Sequence, residues 1–102
     1  MACNIEISAE AENDLDEVVT YYLEQETPTT AMRFLDLYEQ IEEAIADRPL
    51  SFPIIHPSGL RRARFYSTFK CSVLFVLKVD TAYIISVFME RRNPEDWEGR
   101  IA

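Results

Sequence analysis

Few side chains in this sequence can make or break bonds, and none is spaced as a catalytic set. His56 is the only histidine and so the first residue to consider for proton transfer. It sits in Ile54-Ile55-His56-Pro57, with no partner fixed by spacing, and reads as a packed or solvated loop histidine. Ser58, Ser67 and Ser72 stand in no nucleophile-elbow context, and with only Gly59 and Gly99 there is no glycine-rich loop to cradle a phosphate. Cys3 and Cys71 lie far apart, with no Cys-x-x-Cys or His-x-x-x-His pattern, so neither a zinc site nor a disulfide framework is expected. Both read as free thiols, most simply buried ones. The chain is therefore expected to carry no catalytic constellation, cofactor or metal.

The cations make a stronger pattern. Formal net charge is −8, which by itself opposes contact with a polyanion. Its distribution is uneven: residues 1–47 hold thirteen acids and only Arg33 as a base, whereas residues 48–102 hold nine bases and five acids. Arg61, Arg62 and Arg64 fall in one short segment, Lys70 and Lys78 in the next, and Arg91-Arg92 near the end. On a strand, Arg62 and Arg64 share a face, which Lys70 or Lys78 from the next strand can extend, and Arg61 points the other way. The patch either meets an acidic target or neutralises the acidic helices. The carboxylate rows Glu10/Asp14/Glu17 and Glu39/Glu42/Glu43 read as solvated helix faces, because hard cations are normally gathered from more than one segment.

These groups must be positioned by a small set of elements. Asn4-Ile5-Glu6-Ile7 alternates polar and apolar and predicts a short strand. Ser8 then caps a helix running to about residue 25, with Ala11, Leu15, Val18, Val19, Tyr22 and Leu23 inward and Glu10, Asp14, Glu17 and Glu24 outward. Thr27-Pro28 opens a second helix, striped by Phe34, Tyr38, Ile41 and Ile45 and stopped at Pro49. A loop follows over 49–59, then strands over 60–65, 69–78 and 82–88, with a turn at Val79-Asp80-Thr81. Asn93-Pro94 with Asp96 predicts a short capped helix that folds Trp97 back. Of Arg91 and Arg92, one is expected to pair internally with a helix carboxylate such as Asp14 or Glu17.

The order β-α-α-β-β-β predicts an α+β fold, an antiparallel sheet with a helical hairpin packed on one face. Counting direction as strand up, helix down, helix up predicts that the first strand runs antiparallel to the last if they are neighbours. At 102 residues and 48% hydrophobic content the chain makes one domain, residues 1–102. No basic leader precedes an apolar run and no segment is apolar enough to span a bilayer, so a cytoplasmic protein without membrane contact is expected.

Nearly the whole length resembles the ParE/RelE toxin superfamily of plasmid stabilisation proteins. The resemblance is carried by Asp14-Leu15 after the first strand, Tyr21-Tyr22, Ala31 with Phe34, Pro49, Gly59-Leu60-Arg61, the hairpin around Phe69 to Phe75, and Arg91-Arg92-Asn93-Pro94 with Trp97. It implies the toxin of a type II toxin–antitoxin pair. In the ParE branch such a toxin binds a macromolecule such as DNA gyrase and is neutralised by a cognate antitoxin. Alternatives are a RelE-like endoribonuclease acting on ribosome-bound mRNA, and a non-toxic module that only binds antitoxin; a homodimer is open. Target contact would fall to Arg61, Arg62, Arg64, Lys70, Arg91 and Arg92. Where many relatives carry Tyr-Arg-Ile-Leu-Tyr, this chain reads Cys71-Ser72-Val73-Leu74-Phe75, and Met89-Glu90 stands where many carry His. Cleavage needs groups that move protons and stabilise phosphate charge, so these departures count against the nuclease.

Overall fold

The computed structural model describes residues 2–65, 69–89 and 98–100. It contains strand β1 (Asn4–Ile7), helices α1 (Ala9–Gln25) and α2 (Pro28–Asp47), a single 3-10 turn (Pro49–Ser51), and strands β2 (Arg61–Arg64), β3 (Cys71–Lys78) and β4 (Thr81–Met89). The α+β order read from the sequence is the order observed. Both helix starts follow from their caps: Ser8 accepts from the Ala11 amide at 3.0 Å and Thr27 from the Thr30 amide at 3.1 Å, with Pro28 in the first turn. Among the described residues no helix is long and apolar enough to cross a membrane.

The sheet order is β1-β4-β3-β2. β2–β3 and β3–β4 are antiparallel, as expected, but β1 runs parallel to β4, with Asn4 opposite Thr81 and Ile7 opposite Ile84. The expected reversal between β1 and α1 does not occur. Ser8 alone joins them, in an extended conformation (φ −70°, ψ 157°), and one extended residue cannot turn the chain back. The Ser8 amide bonds the Ile84 carbonyl, and Asp14, six residues later, meets Val87, so α1 continues toward the C-terminal end of β4. α2 returns, bringing Ala46 to the Cys3 amide at the start of β1. Every later strand direction is thereby inverted from the count.

The helices pack on one sheet face. Ala11, Val18, Phe34 and Ile45 from the helices meet Val73, Phe75, Ala82, Ile84 and Val87 from the sheet in one buried cluster. At the hairpin end Tyr22 and Phe34 close against Phe65 and Phe69, with Phe34 and Phe65 stacked at 5.0 Å. A smaller cluster, Leu60 and Leu74 with Ile55, Val76, Ile85 and Phe88, occupies the opposite face. The residues of the 49–59 loop thus cover part of that face, which explains why Cys71 to Phe75 are all buried.

Asp14 is only 5% exposed, contrary to its expected place on the outer face of α1. It lies three residues after Ala11 and four before Val18, on the same buried stripe. The β3–β4 register shifts at Leu74/Phe75, leaving Ile85 as the extra residue of a bulge in β4. The bulge changes the phase of the strand, so the core takes Ala82 and Ile84 before it and Val87 and Met89 after it. β1 ends at Ile7, opposite Ile84, and the edge of β4 continues beyond it. There the Val87 amide and Ser86 hydroxyl donate to Asp14 at 3.1 and 3.2 Å. Arg100 grips the same carboxylate with both terminal nitrogens (2.6 and 3.1 Å), donates to the Ile85 carbonyl at 3.1 Å and reaches Glu10 at 3.3 Å. Asp14, one of the two helix carboxylates named as a possible partner of Arg91 or Arg92, is thus bonded by Arg100; Arg91 and Arg92 lie outside the described residues, as do Asn93, Pro94, Asp96 and Trp97.

Two expectations follow. Asp14→Ala removes the acceptor of a buried, multiply bonded cation and should lower unfolding free energy by about 3–5 kcal/mol. Arg100→Ala should cost less, because Ser86 and Val87 still serve Asp14, and a double-mutant cycle in urea should show coupling above about 1 kcal/mol. The second concerns Tyr38, whose buried hydroxyl has no partner at hydrogen-bond geometry among the described residues. Burial first, and then the nearby Glu42 carboxylate, push its pKa well above the tyrosine range. The phenol stays protonated when folded but ionises when unfolded, so its contribution is fully present below about pH 10 and is lost as pH rises above it. Tyr38→Phe should remove that part of the alkaline loss in melts recorded from neutral to high pH, and at neutral pH should be neutral or stabilising by about 1 kcal/mol.

Candidate functional site

β2 sorts the arginines by strand alternation. Arg61 and Ala63 pair with Phe75 and Val73, which face the helices, whereas Arg62 and Arg64 pair with Leu74 and Ser72 on the opposite, open face. Arg61 is half-buried and its guanidinium donates to the Phe52 carbonyl at 2.7 Å. The same loop is joined along the outer edge of β2, through the Ile54–Arg61 bridge, the Arg62 amide on Pro53 and the Ile55 amide on Leu60. Arg61 is thus built into the support of the surface, while Arg62, half-buried, and Arg64, exposed, face outward beside exposed Lys70 just before β3.

Lower on the same face a groove of about 550 Å³ runs across the sheet. Val76, Tyr83 and Ile85 form its floor, with Glu6, Lys78 and Ser58 around it, and Arg100 closes one side. Strand alternation again explains the membership: Glu6, Tyr83 and Val76 are opposite one another on β1, β4 and β3. The open face therefore has two parts, a cationic end at Arg62, Arg64 and Lys70, and an apolar trough rimmed by charge.

His56 is a turn-forming group. Its Nδ1 lies 2.9 Å from the Ser58 hydroxyl and accepts the Ser58 amide at 3.1 Å, and its carbonyl accepts the Gly59 amide at 3.0 Å. Gly59 takes φ 93°, which a side chain would resist, so glycine is required to close this turn. Among the described residues, those that depart from the relatives' pattern are buried. Cys71 and Phe75 point into the helix-side core and Met89 lies beneath it, while Ser72 faces the other way, buried and without a hydrogen-bond partner among the described residues. Neither cysteine forms a disulfide.

Asp14 and Arg100 were the polar pair that the sequence reading missed as a unit. Asp14 carries a readable signal in its place on the Ala11–Val18 stripe. Arg100 has none, since it belongs to no periodic element and its partner is 86 residues away.

A family model described as "ParE toxin of type II toxin-antitoxin system, parDE" matches residues 5–94. Among solved structures, one titled "Chromosomal ParDE TA system from P. aeruginosa" superposes with a TM-score of 0.74 at 16% identity, covering 86% of this chain and 96% of that one, a likeness of fold. No curated protein matches the chain significantly.

The different settings of the β2 arginines give a direct test. Arg61→Ala should lower stability by about 1–2 kcal/mol and speed amide exchange at Ile55 and Arg62, because a charge-assisted bond to the loop is lost. Arg64→Ala should stay within about 0.5 kcal/mol of the parent. Equal costs would show that the two side chains are not divided between support and surface.

Proposed function

Because the chain belongs to the ParE toxin family of type II toxin–antitoxin systems, we propose that it acts by binding a macromolecular target, DNA gyrase, through the cationic end of its open sheet face. The observation that carries this reading is the joint outward presentation of Arg62 and Arg64 beside Lys70, on a strand whose neighbour Arg61 is committed to the fold. Arg91 and Arg92, the other cations of this reading, lie outside the described residues. Clustered cations facing one way raise the association rate with an acidic surface and make it salt-dependent. The burial of Ser72, Phe75, Cys71 and Met89 supports binding over strand cleavage, since a buried side chain cannot reach a phosphate.

The cognate antitoxin is the second partner of this reading. Leu23 and Met32, 49% and 58% exposed at the turn of the helical hairpin, and Tyr83 in the trough are the apolar groups it would cover.

Charge reversal at Arg62 and Arg64, with Lys70→Glu as a third change, should weaken inhibition of purified gyrase about tenfold or more and flatten its salt dependence, with the melting temperature nearly unchanged. Folded variants as inhibitory as the parent would sink the reading, and so would loss of inhibition on His56→Ala alone. Co-expression with the adjacent antitoxin gene should yield a complex that melts higher than the free chain, as expected for a ligand of the folded state alone.

A further inference from the structure

At the end of the sheet remote from Arg64 and Lys70, three segments surround a hollow of about 420 Å³: the chain entering β1, the turn between β3 and β4, and the 3-10 turn after α2. Cys3, Pro49 and Leu77, each buried or half-buried, give it an apolar wall. Backbone bonds tie the segments in place, with the Cys3 amide on Ala46 at 2.7 Å, the Asn4 amide on Asp80 at 2.7 Å and the Ser51 amide on Arg48 at 3.1 Å. The hollow is therefore preformed.

Two apolar side chains stand out at its rim. Leu50 is 72% exposed on the 3-10 turn, and Val79 is 96% exposed in the two-residue turn between Lys78 and Thr81. Single exposed apolar side chains are ordinary, but two that flank one apolar hollow make a continuous patch. Among the described residues Val79 is also the only one besides glycine with positive φ, 56°, a conformation that a β-branched side chain resists. The turn thus combines backbone strain with an apolar side chain in water, and no contact within the described chain covers that side chain.

The charges at the rim point to the occupant. Arg48 and Asp80 are both exposed there, neither has an ion pair among the described residues, and the Asp80 carboxylate accepts from the Thr81 hydroxyl at 3.2 Å. One patch therefore carries a protrusion and a hollow, a cation and an anion, and is complementary to itself. Because Asp80 adjoins Val79, a second copy that receives Val79 in its hollow has Asp80 brought to its own Arg48, and a two-fold axis returns the same contact.

We propose that this end of the sheet joins two copies of the chain about a two-fold axis, each Val79 turn seated in the other's hollow and each Asp80 on the other's Arg48. Arg64 and Lys70 lie at the opposite end, so the pairing is tested separately from gyrase inhibition.

The test is sedimentation of the full-length chain from about 10 µM to about 1 mM, where so small an interface should give a reversible dimer with Kd on the order of 100 µM. Val79→Gly relieves the strained φ and removes the protrusion. It should raise the melting temperature of the dilute monomer while weakening the dimer about tenfold, and Leu50→Ser should weaken it similarly. Arg48→Glu and Asp80→Arg should each weaken the dimer about tenfold, and the two together should restore it to within about threefold of the parent. A chain still monomeric at about 1 mM overturns the proposal and leaves the hollow to a different protein. It is equally overturned by assembly beyond the dimer, by a Val79→Gly chain that pairs like the parent, or by a charge swap that restores nothing.

Discussion

A carboxylate taken out of water needs donors to replace its hydration. Asp14 finds them in a strand, a bulge and the chain's far end: the Ser86 hydroxyl, the Val87 amide and the fork of Arg100. Each donor imposes a condition on the fold. The bond to Val87 fixes how far α1 travels along β4 and how it is rotated, which sets Ala11 and Val18 against the sheet. Because Arg100 also donates to the Ile85 carbonyl, the same pair caps the edge of β4 that β1 leaves uncovered. Burying an ion pair costs desolvation, so its contribution is better understood as specificity than as net stability. An α1 shifted by one turn would leave Asp14 buried without donors.

The direction of α1 has the same origin. With Ser8 extended and Asp14 required at Val87, the helix has to run alongside β4 in the sense of β1, and the parallel β1–β4 pair follows. The charge segregation seen along the sequence becomes a segregation in space. Residues 1–47 supply the helical layer with most of the acids, while β2 and β3 turn Arg62, Arg64 and Lys78 away from it. The sheet stands between the two sets of charge, so they neutralise each other only at a distance, where solvent screening is strong.

What could be read in advance follows from the range of each interaction. Helix starts at Ser8 and Thr27-Pro28, the stripe of Phe34, Tyr38 and Ile45, the strand alternation that separates Arg61 from Arg62 and Arg64, and the family resemblance were all legible, because caps and periodicity act over a few residues. A count of element directions assumes a reversal at Ser8, and it fails there because one extended residue cannot turn a chain. Asp14 carries two opposed signals, a charge that points to the surface and a place on the apolar stripe that points inward, and the second prevails because buried donors meet it. The bulge at Ile85 could not be seen, since it depends on registering β3 against β4, and Arg100 could not be paired without knowing where the chain end returns.

The two layers also constrain how one partner could silence another. A protein seated on the helical hairpin leaves the cationic face accessible, since the whole sheet separates them. To occlude Arg62 and Arg64 directly, a single partner must pass around a sheet edge. The β2 edge is occupied at its start by residues 53–55, held by the Ile54–Arg61 bridge and the Arg62 and Ile55 amides. The outer side of β1 has, among the described residues, the Cys3–Ala46 backbone bond near its start, and its alternate N–H and C=O groups at Ile5 and Ile7 point away from β4. Passage over the β1 side leads from the acidic hairpin past Glu6 into the trough of Tyr83, Val76 and Ile85 before it reaches the arginines. A partner that follows this course meets acidic, apolar and then cationic ground in turn, and so needs a basic start, an apolar middle and an acidic end.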